Sequence, residues 1–327
     1  MAESKPKFIK SDSRVAIIGS GLIGRCWAML FARAGYSVCV YDIDADQVKG
    51  ALEATLPMLS TMEAKGLLGD GQTSSEVHQR ITGCSQLSEA MEGAFHIQEC
   101  VPENVELKKK VFESLDELAS DMVVLASSTS CISPSKFTEK LKHRSQCIVA
   151  HPVNPPYYIS LVELVPAPWT DPAVIQRTRS LMTEIGQSPV TLKKEANGFI
   201  LNRLQYALIM EAWRLVEDGI CSPEDVDTAM VEGLAPRYSF MGIFEVMHLN
   251  AQGVNDYCHR YGANITTVCE SQTPARQLSG PTLDTVNQAM EARTPVKELD
   301  KRRKWRDERL AALAVHKKEM AGKDIQK

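Results

Sequence analysis

Val15-Ala16-Ile17-Ile18-Gly19-Ser20-Gly21-Leu22-Ile23-Gly24 joins a β-branched apolar run to a glycine turn and the start of an amphipathic stretch. A short apolar run ending in glycine reads as a buried strand, and the segment 22–34 has helical spacing. The glycines stand in G-x-G-x-x-G order, a dinucleotide signature only where a strand precedes it and a helix follows. Both conditions hold. Gly19 permits the tight turn, Gly21 lets the backbone approach a pyrophosphate, and Gly24 lets the helix pack close to the strand. The helix N-terminus around Leu22 and Ile23 then offers unpaired N–H groups to the phosphates. Gly35 can cap the helix, Ser37-Val38-Cys39-Val40-Tyr41 reads as a second strand, and Asp42 ends it. A carboxylate there accepts ribose hydroxyls and repels a 2′-phosphate, with Asp44 adding to the repulsion, so NAD is favoured over NADP. The competing reading is a structural turn followed by a helix-capping Asp.

Outward from this motif, strand candidates recur at 95–100, 122–126, 147–150, 161–165 and 190–192, with helical stretches at 103–118 and 172–185. Such alternation predicts right-handed crossovers and a mainly parallel sheet. The polar, glycine-bearing stretch 58–71 reads as a helix-turn-helix insertion. Near Asn197 the pattern changes. The stretch 198–217 is one long helical run with Leu201, Leu204, Leu208, Ala212 and Leu215 at three- and four-residue steps, and 223–232, 243–261 and 281–292 are helical too. The expected organisation is an α/β Rossmann-like dinucleotide-binding domain over 1–196 and an all-α C-terminal domain over 197–327, with the active site in the cleft between them.

The 327 residues are 44% hydrophobic and 24% charged, close to globular averages, which argues against disorder and fibrous repeats. The 37 basic and 41 acidic residues leave a net charge of −4, which gives no support to a nucleic-acid or acidic-membrane binder. The basic stretch 301–309 is broken up by Asp307 and Glu308 and continues into Leu310, Leu313 and Val315. An amphipathic terminal helix packed on this subunit or a partner is the better reading. No apolar run approaches the ~20 residues needed to span a bilayer. The start of the chain is polar and lacks the apolar core of a signal peptide. Nine cysteines without a Cys-x-x-Cys pair fit reduced thiols better than a disulfide framework or a structural zinc site. A cytoplasmic protein without a metal centre is expected.

Oxidising an alcohol by hydride loss needs a proton acceptor, and imidazole suits it because it titrates near neutrality. His78, His96, His143, His248, His259 and His316 sit in helical or variable-looking stretches. His151 instead ends a strand just before the turn-rich Pro152-Val153-Asn154-Pro155-Pro156, and ligands of open α/β sheets collect beyond such strand ends. Glu163 interrupts Leu161-Val162-Glu163-Leu164-Val165, and a buried carboxylate is costly unless paired. A nearby imidazole N–H would satisfy it and fix the ring's tautomer. The alternative is a structural His151 and an edge strand with Glu163 in water.

The glycine loop 19–24, Glu99-Cys100-Val101-Pro102-Glu103, Ser128-Thr129-Ser130, His151-Pro152-Val153-Asn154-Pro155, the Glu163 run and Gly198-Phe199-Ile200-Leu201-Asn202-Arg203 follow one another as in the 3-hydroxyacyl-CoA dehydrogenase family, which the chain resembles. The resemblance implies that His151 is the general base and Glu163 its orienting partner. It also implies that Ser130 and Asn202 hold the reacting hydroxyl or developing carbonyl, and that Glu103 and Lys108 make further NAD contacts. From the residues alone, Ser130 could cap the next helix, Asn202 could lie on a solvated face, and Lys108 could be surface charge.

Val149-Ala150-His151-Pro152-Val153-Asn154-Pro155-Pro156-Tyr157-Tyr158 is similar to a branch of this family that acts on a free hydroxy acid. That similarity implies NAD-dependent oxidation of the 3-hydroxyl of L-gulonate to 3-dehydro-L-gulonate by a cytoplasmic homodimer. Alternatives are oxidation of 3-hydroxybutyrate, carnitine or a 3-hydroxyacyl-CoA, and, from another class, a structural or NAD-sequestering protein. Two departures from the wider family stand out. Its Asn-Thr-Ser run is here Ser128-Thr129-Ser130, and Arg237 in Gly233-Leu234-Ala235-Pro236-Arg237-Tyr238 replaces commonly apolar residues. A guanidinium grips a carboxylate bidentately. Arg237 is therefore expected to bind the substrate carboxylate, with an interdomain salt bridge as its alternative.

Overall fold

The computed structural model describes residues 13–69 and 71–324. The polar start of the chain, expected to carry no signal peptide, lies outside the described residues. Strands β1 (Arg14–Ile18), β2 (Ser37–Tyr41), β3 (Ile81–Cys84), β4 (Ala94–Glu99), β5 (Val124–Ser127), β6 (Cys147–Pro152), β7 (Leu161–Pro166) and β8 (Ser188–Thr191) form one sheet. Its order is β3-β2-β1-β4-β5-β6-β7-β8. All neighbours are parallel except β6 and β7. The segment 153–160 between those two is shorter than the dozen or so residues a parallel crossover needs, so the chain turns straight back. β3 escapes the sequence reading because Ile81-Thr82-Gly83-Cys84 is short and buries only its ends.

Alternation along each strand builds two cores. Val15, Ile17, Val38, Val40, Val124, Ala126, Val162 and Leu164 face one side, against Trp27 and Phe31 of helix α1 (Leu22–Arg33) and Val174 and Leu181 of the helix Pro172–Glu184. Ala16, Ile18, Ile97, Leu125, Val149 and Val165 face the other, against Phe112 and Leu115 of the helix Val105–Leu118. Each fully buried side chain of this size contributes roughly 1.5–3 kcal/mol. The strand order reverses direction between β1 and β4, which makes the crevice beyond their carboxyl ends the ligand site of such sheets.

Helix α2 (Ala45–Ala64) runs through Pro57, capped by Asp44, whose side chain accepts from Asp46 N at 2.9 Å. The helix Ser74–His78 follows behind a Thr73–Glu76 capping box. The helix-turn-helix insertion therefore begins earlier than the composition of 58–71 suggests. One expectation is corrected. Cys39 and Cys84 are paired as a disulfide across β2 and β3, with a Cα–Cα distance of 6.3 Å. The two lie 45 residues apart, so no local spacing announces them, and it is the unforeseen strand β3 that brings them together.

The chain divides into two units, Met1–Asn202 with Trp305–Lys327, and Arg203–Lys304. The break between the units falls just after Asn202, and the segment from Trp305 to Asp324 groups with the first unit. The terminal helix Leu299–Asp324 forms as its pattern predicts; Ala311 on it is buried, and Lys318 Nζ donates to Gly66 O at 3.4 Å. The second unit is helical, with Leu201–Glu217 leading into it, then Pro223–Thr228, Ile243–Leu249, Val254–Ser271 and Pro281–Arg293. A π-helical turn, Ala229–Leu234, precedes the short helix Ala235–Tyr238. Among the described residues, no helix is long and apolar enough to cross a membrane.

Candidate active site

The glycine loop fits a dinucleotide by packing and by exposure. A Cβ on Gly19, which has φ +103°, would lie 2.8 Å from the Cys100 carbonyl carbon, and one on Gly24 would press into the Gly19 carbonyl oxygen. A Cβ on Gly21 would meet no atom within 4 Å, so the backbone there is bare. Gly21 is the N-cap of α1 without a side-chain cap, and the first turn, which includes Leu22 and Ile23, holds no acidic residue. The N–H groups and the positive dipole end are left for an anion. Asp42 Oδ2 accepts from Ser20 N at 2.7 Å and Ser20 Oγ at 2.8 Å, which ties the end of β2 to the glycine turn. Asp42 Oδ1 takes only a long 3.3 Å bond from Asp44 N, leaving acceptor capacity for ribose hydroxyls.

Beside this, at the end of β4, Glu99 is completely buried against Lys108, which is 1% exposed. Lys108 Nζ donates to Glu99 Oε1 at 2.9 Å, Glu99 Oε2 at 3.1 Å and the Val101 carbonyl at 3.3 Å. Burial pushes the Glu99 carboxyl up, against the pull of the ammonium. All three Lys108 protons are engaged inside the protein, by Glu99 and the Val101 carbonyl. Glu103 is more open. Its Oε1 accepts from Thr129 Oγ1 at 2.6 Å, Ser130 N at 2.9 Å and Cys131 N at 3.1 Å, so one carboxylate oxygen organises the Ser130 loop. Desolvation raises the Glu103 carboxyl, but Thr129, Lys108, Cys131 and Ser130 together hold it below the usual carboxylate range.

His151 and Glu163 stand directly opposite each other across the antiparallel β6–β7 pair. His151 Nδ1 lies 2.8 Å from Glu163 Oε2. Glu163 has no exposed surface, and its Oε1 accepts from Ile200 N at 2.7 Å and Leu201 N at 2.9 Å, at the start of the helix Leu201–Glu217. The carboxylate therefore caps that helix from another strand. Burial raises its carboxyl, yet the bonds from His151, Leu201 and Ile200 outweigh burial and hold it below the usual range. An ionised carboxylate only accepts, so His151 Nδ1 donates to Glu163, and in the neutral ring the lone pair is on Nε2. Asn202, the residue after Leu201, donates from Nδ2 to the Ser130 carbonyl at 3.0 Å. His151, Glu163, Ser130 and Asn202 are thus linked through two short contacts and one helix start.

Phe199 was not singled out by the sequence reading. It is fully buried, has φ +50°, and its ring centroid lies 5.8 Å from that of His151. A bulky residue in the left-handed region is strained and needs its surroundings to hold it. The available signal was a large aromatic directly after Gly198 at a domain boundary. Arg237, in the second unit, is exposed and has no side-chain hydrogen bond or ion pair among the described residues.

The family description "3-hydroxyacyl-CoA dehydrogenase, NAD binding domain" matches residues 14–196, and its "C-terminal domain" matches 198–277. The chain belongs to the 3-hydroxyacyl-CoA dehydrogenase family. Within the family, lambda-crystallin of Oryctolagus cuniculus is 53% identical over 94% of this chain and 97% of its own length. An L-carnitine dehydrogenase of Pseudomonas sp is 30% identical over 94% of each. Among solved structures, an NAD+-dependent 5-formyl-3-hydroxy-2-methylpyridine 4-carboxylic acid 5-dehydrogenase superposes with a TM-score of 0.78 at 26% identity, covering 96% of this chain and 99% of that one. This family member is an NAD-dependent hydroxy acid dehydrogenase with a Rossmann-like NAD domain and a helical C-terminal domain.

Proposed function

We propose that the chain oxidises the 3-hydroxyl of L-gulonate to 3-dehydro-L-gulonate with NAD. The observation that carries this reading is the 2.8 Å His151–Glu163 pair, whose carboxylate is completed by two backbone N–H groups. The substrate hydroxyl gives its proton to His151 Nε2 while hydride leaves the carbon that bears it for the nicotinamide, and Glu163 offsets the charge that the ring gains. When bound, NAD supplies the two-electron acceptor. Ser130 and Asn202 hold the reacting oxygen; Gly21, Leu22, Ile23 and Asp42 hold the dinucleotide. Glu103 shapes the loop that bears Ser130. Orienting the reactants in this way can be worth about 7–11 kcal/mol.

Arg237 binds the substrate carboxylate in this reading, which a thioester lacks. The similarity to L-carnitine dehydrogenases also favours a free acid and makes L-carnitine the second candidate. The protein works as a cytoplasmic homodimer. The supporting observation is the second unit's apolar surface: Leu204 and Leu208 on one helix are 49% and 48% exposed, and Val268 on another is 56% exposed. A second copy covers such a surface most simply. The test is NADH formation from L-gulonate, L-carnitine, 3-hydroxybutyrate and 3-hydroxybutyryl-CoA, each with NAD or NADP. Fastest turnover of L-gulonate with NAD supports the proposal; preference for the thioester overturns it.

A further inference from the structure

Ser128 Oγ is a meeting point of side chains from three elements. It accepts from Trp27 Nε1 of α1 at 3.1 Å and from Gln98 Nε2 of β4 at 2.7 Å, and lies 3.2 Å from Cys100 Sγ. Gln98 Nε2 also donates to the carbonyl of Ala150, the residue before His151, at 3.3 Å. Proton counting fixes the direction of the whole cluster. Burial pushes the His96 imidazole down to about 4, so the ring is neutral. His96 Nε2 lies 3.1 Å from Gln98 Oε1, which can only accept, so the ring proton sits on Nε2. The Gln98 amide is then held with its nitrogen toward Ser128 and Ala150. With Trp27 and Gln98 filling its acceptor positions, Ser128 keeps its own proton for Cys100 Sγ.

A core needs no such cluster, because buried polar groups cost stability unless every one is satisfied. His96 and Gln98 nevertheless have no exposed surface and stand on a strand packed between apolar faces. The cluster's outer ends are informative. Trp27 rides on the helix whose N-terminus is the glycine loop. Ser128 opens the Ser128-Thr129-Ser130 run, whose loop Glu103 organises. Ala150 leads into His151. We propose that Gln98 and Ser128 are positioning residues for hydride transfer, fixing the spacing of the cofactor helix, the Ser130 loop and the His151 strand. The proposal rests on the dehydrogenase reading above.

Gln98→Met keeps the side-chain length and removes both donated bonds and the one accepted from His96; Ser128→Ala removes only the shared hydroxyl and serves if the first variant folds poorly. With the hydroxy acid that wild type oxidises, kcat is expected to fall about 10- to 100-fold in Gln98→Met, as misplacement by ~1 Å can do. KM and the calorimetric NAD affinity should change far less. Deuterium at the oxidised carbon should slow the variant more than wild type, because hydride transfer has become limiting. In the absence of substrate, amide hydrogen exchange should quicken at 129–131 and at His151 but not in the helix Pro172–Glu184. Unchanged kcat, or exchange that quickens uniformly, would overturn the proposal by making the cluster merely structural. If wild type oxidises no hydroxy acid, the functional reading fails separately. The hydride-transfer role then falls with it, and local quickening would show only that the cluster spaces these three segments.

Discussion

A carboxylate shut off from water stays ionised only where donors replace the water, and Glu163 has three, from His151, Ile200 and Leu201. In Glu163→Gln the amide keeps one accepting oxygen, so either the imidazole or the helix start faces an NH2 group. We expect kcat to fall about 10²- to 10⁴-fold, the usual worth of a positioned base, while NAD affinity measured by calorimetry stays near wild type. Glu163 was legible because a charge inside an apolar run breaks the pattern. Lys108 was not, since Lys108-Lys109-Lys110 looks uniformly solvated. Its signal lay in the helical period: Lys108, Phe112 and Leu115 share the buried face. Lys108→Met leaves Glu99 buried and unpaired and should cost about 3–5 kcal/mol in urea unfolding. A direct cofactor contact would instead weaken NAD binding and leave stability alone.

At the scale of elements, the antiparallel return of β7 creates the pair by setting Glu163 opposite His151. The sequence reading foresaw both strands and the pairing of the two side chains, but not the direction of β7, because apolar alternation is blind to strand polarity. The trans-capped helix also carries a pH signature. The folded Glu163 carboxyl is held below its unfolded value near ~4.3, so its contribution to stability is full above that value. It is lost as pH falls through the lower folded value. The stability gap between wild type and Glu163→Gln, followed by thermal unfolding, should therefore be widest near neutrality and close in acid. Gly24→Ala tests the other element. Its Cβ meets the Gly19 carbonyl, so α1 must shift and NAD affinity should fall at least tenfold by calorimetry, about 1.4 kcal/mol.

Across the whole molecule, the change from strand–helix alternation to helices alone announced a second domain, and the family matches divide at 196 and 198. The return of Trp305–Lys327 to the first unit was not legible, because an amphipathic helix does not say which surface it covers. The second unit shows the same limit from the other side. Leu204 and Leu208 read as core from their spacing, yet both are exposed in the single chain. Leu208→Glu should convert a sedimenting dimer to monomer; an unchanged sedimentation coefficient would place the interface elsewhere.

The most direct test of the account is NADH formation from L-gulonate by wild type and by His151→Ala, both saturated with NAD. Steady turnover by wild type, with a loss of about 10²- to 10⁴-fold in the variant and no loss of NAD binding, is the predicted result. A His151→Ala protein as fast as wild type would contradict it, because the proton would then leave by a route that does not involve the imidazole.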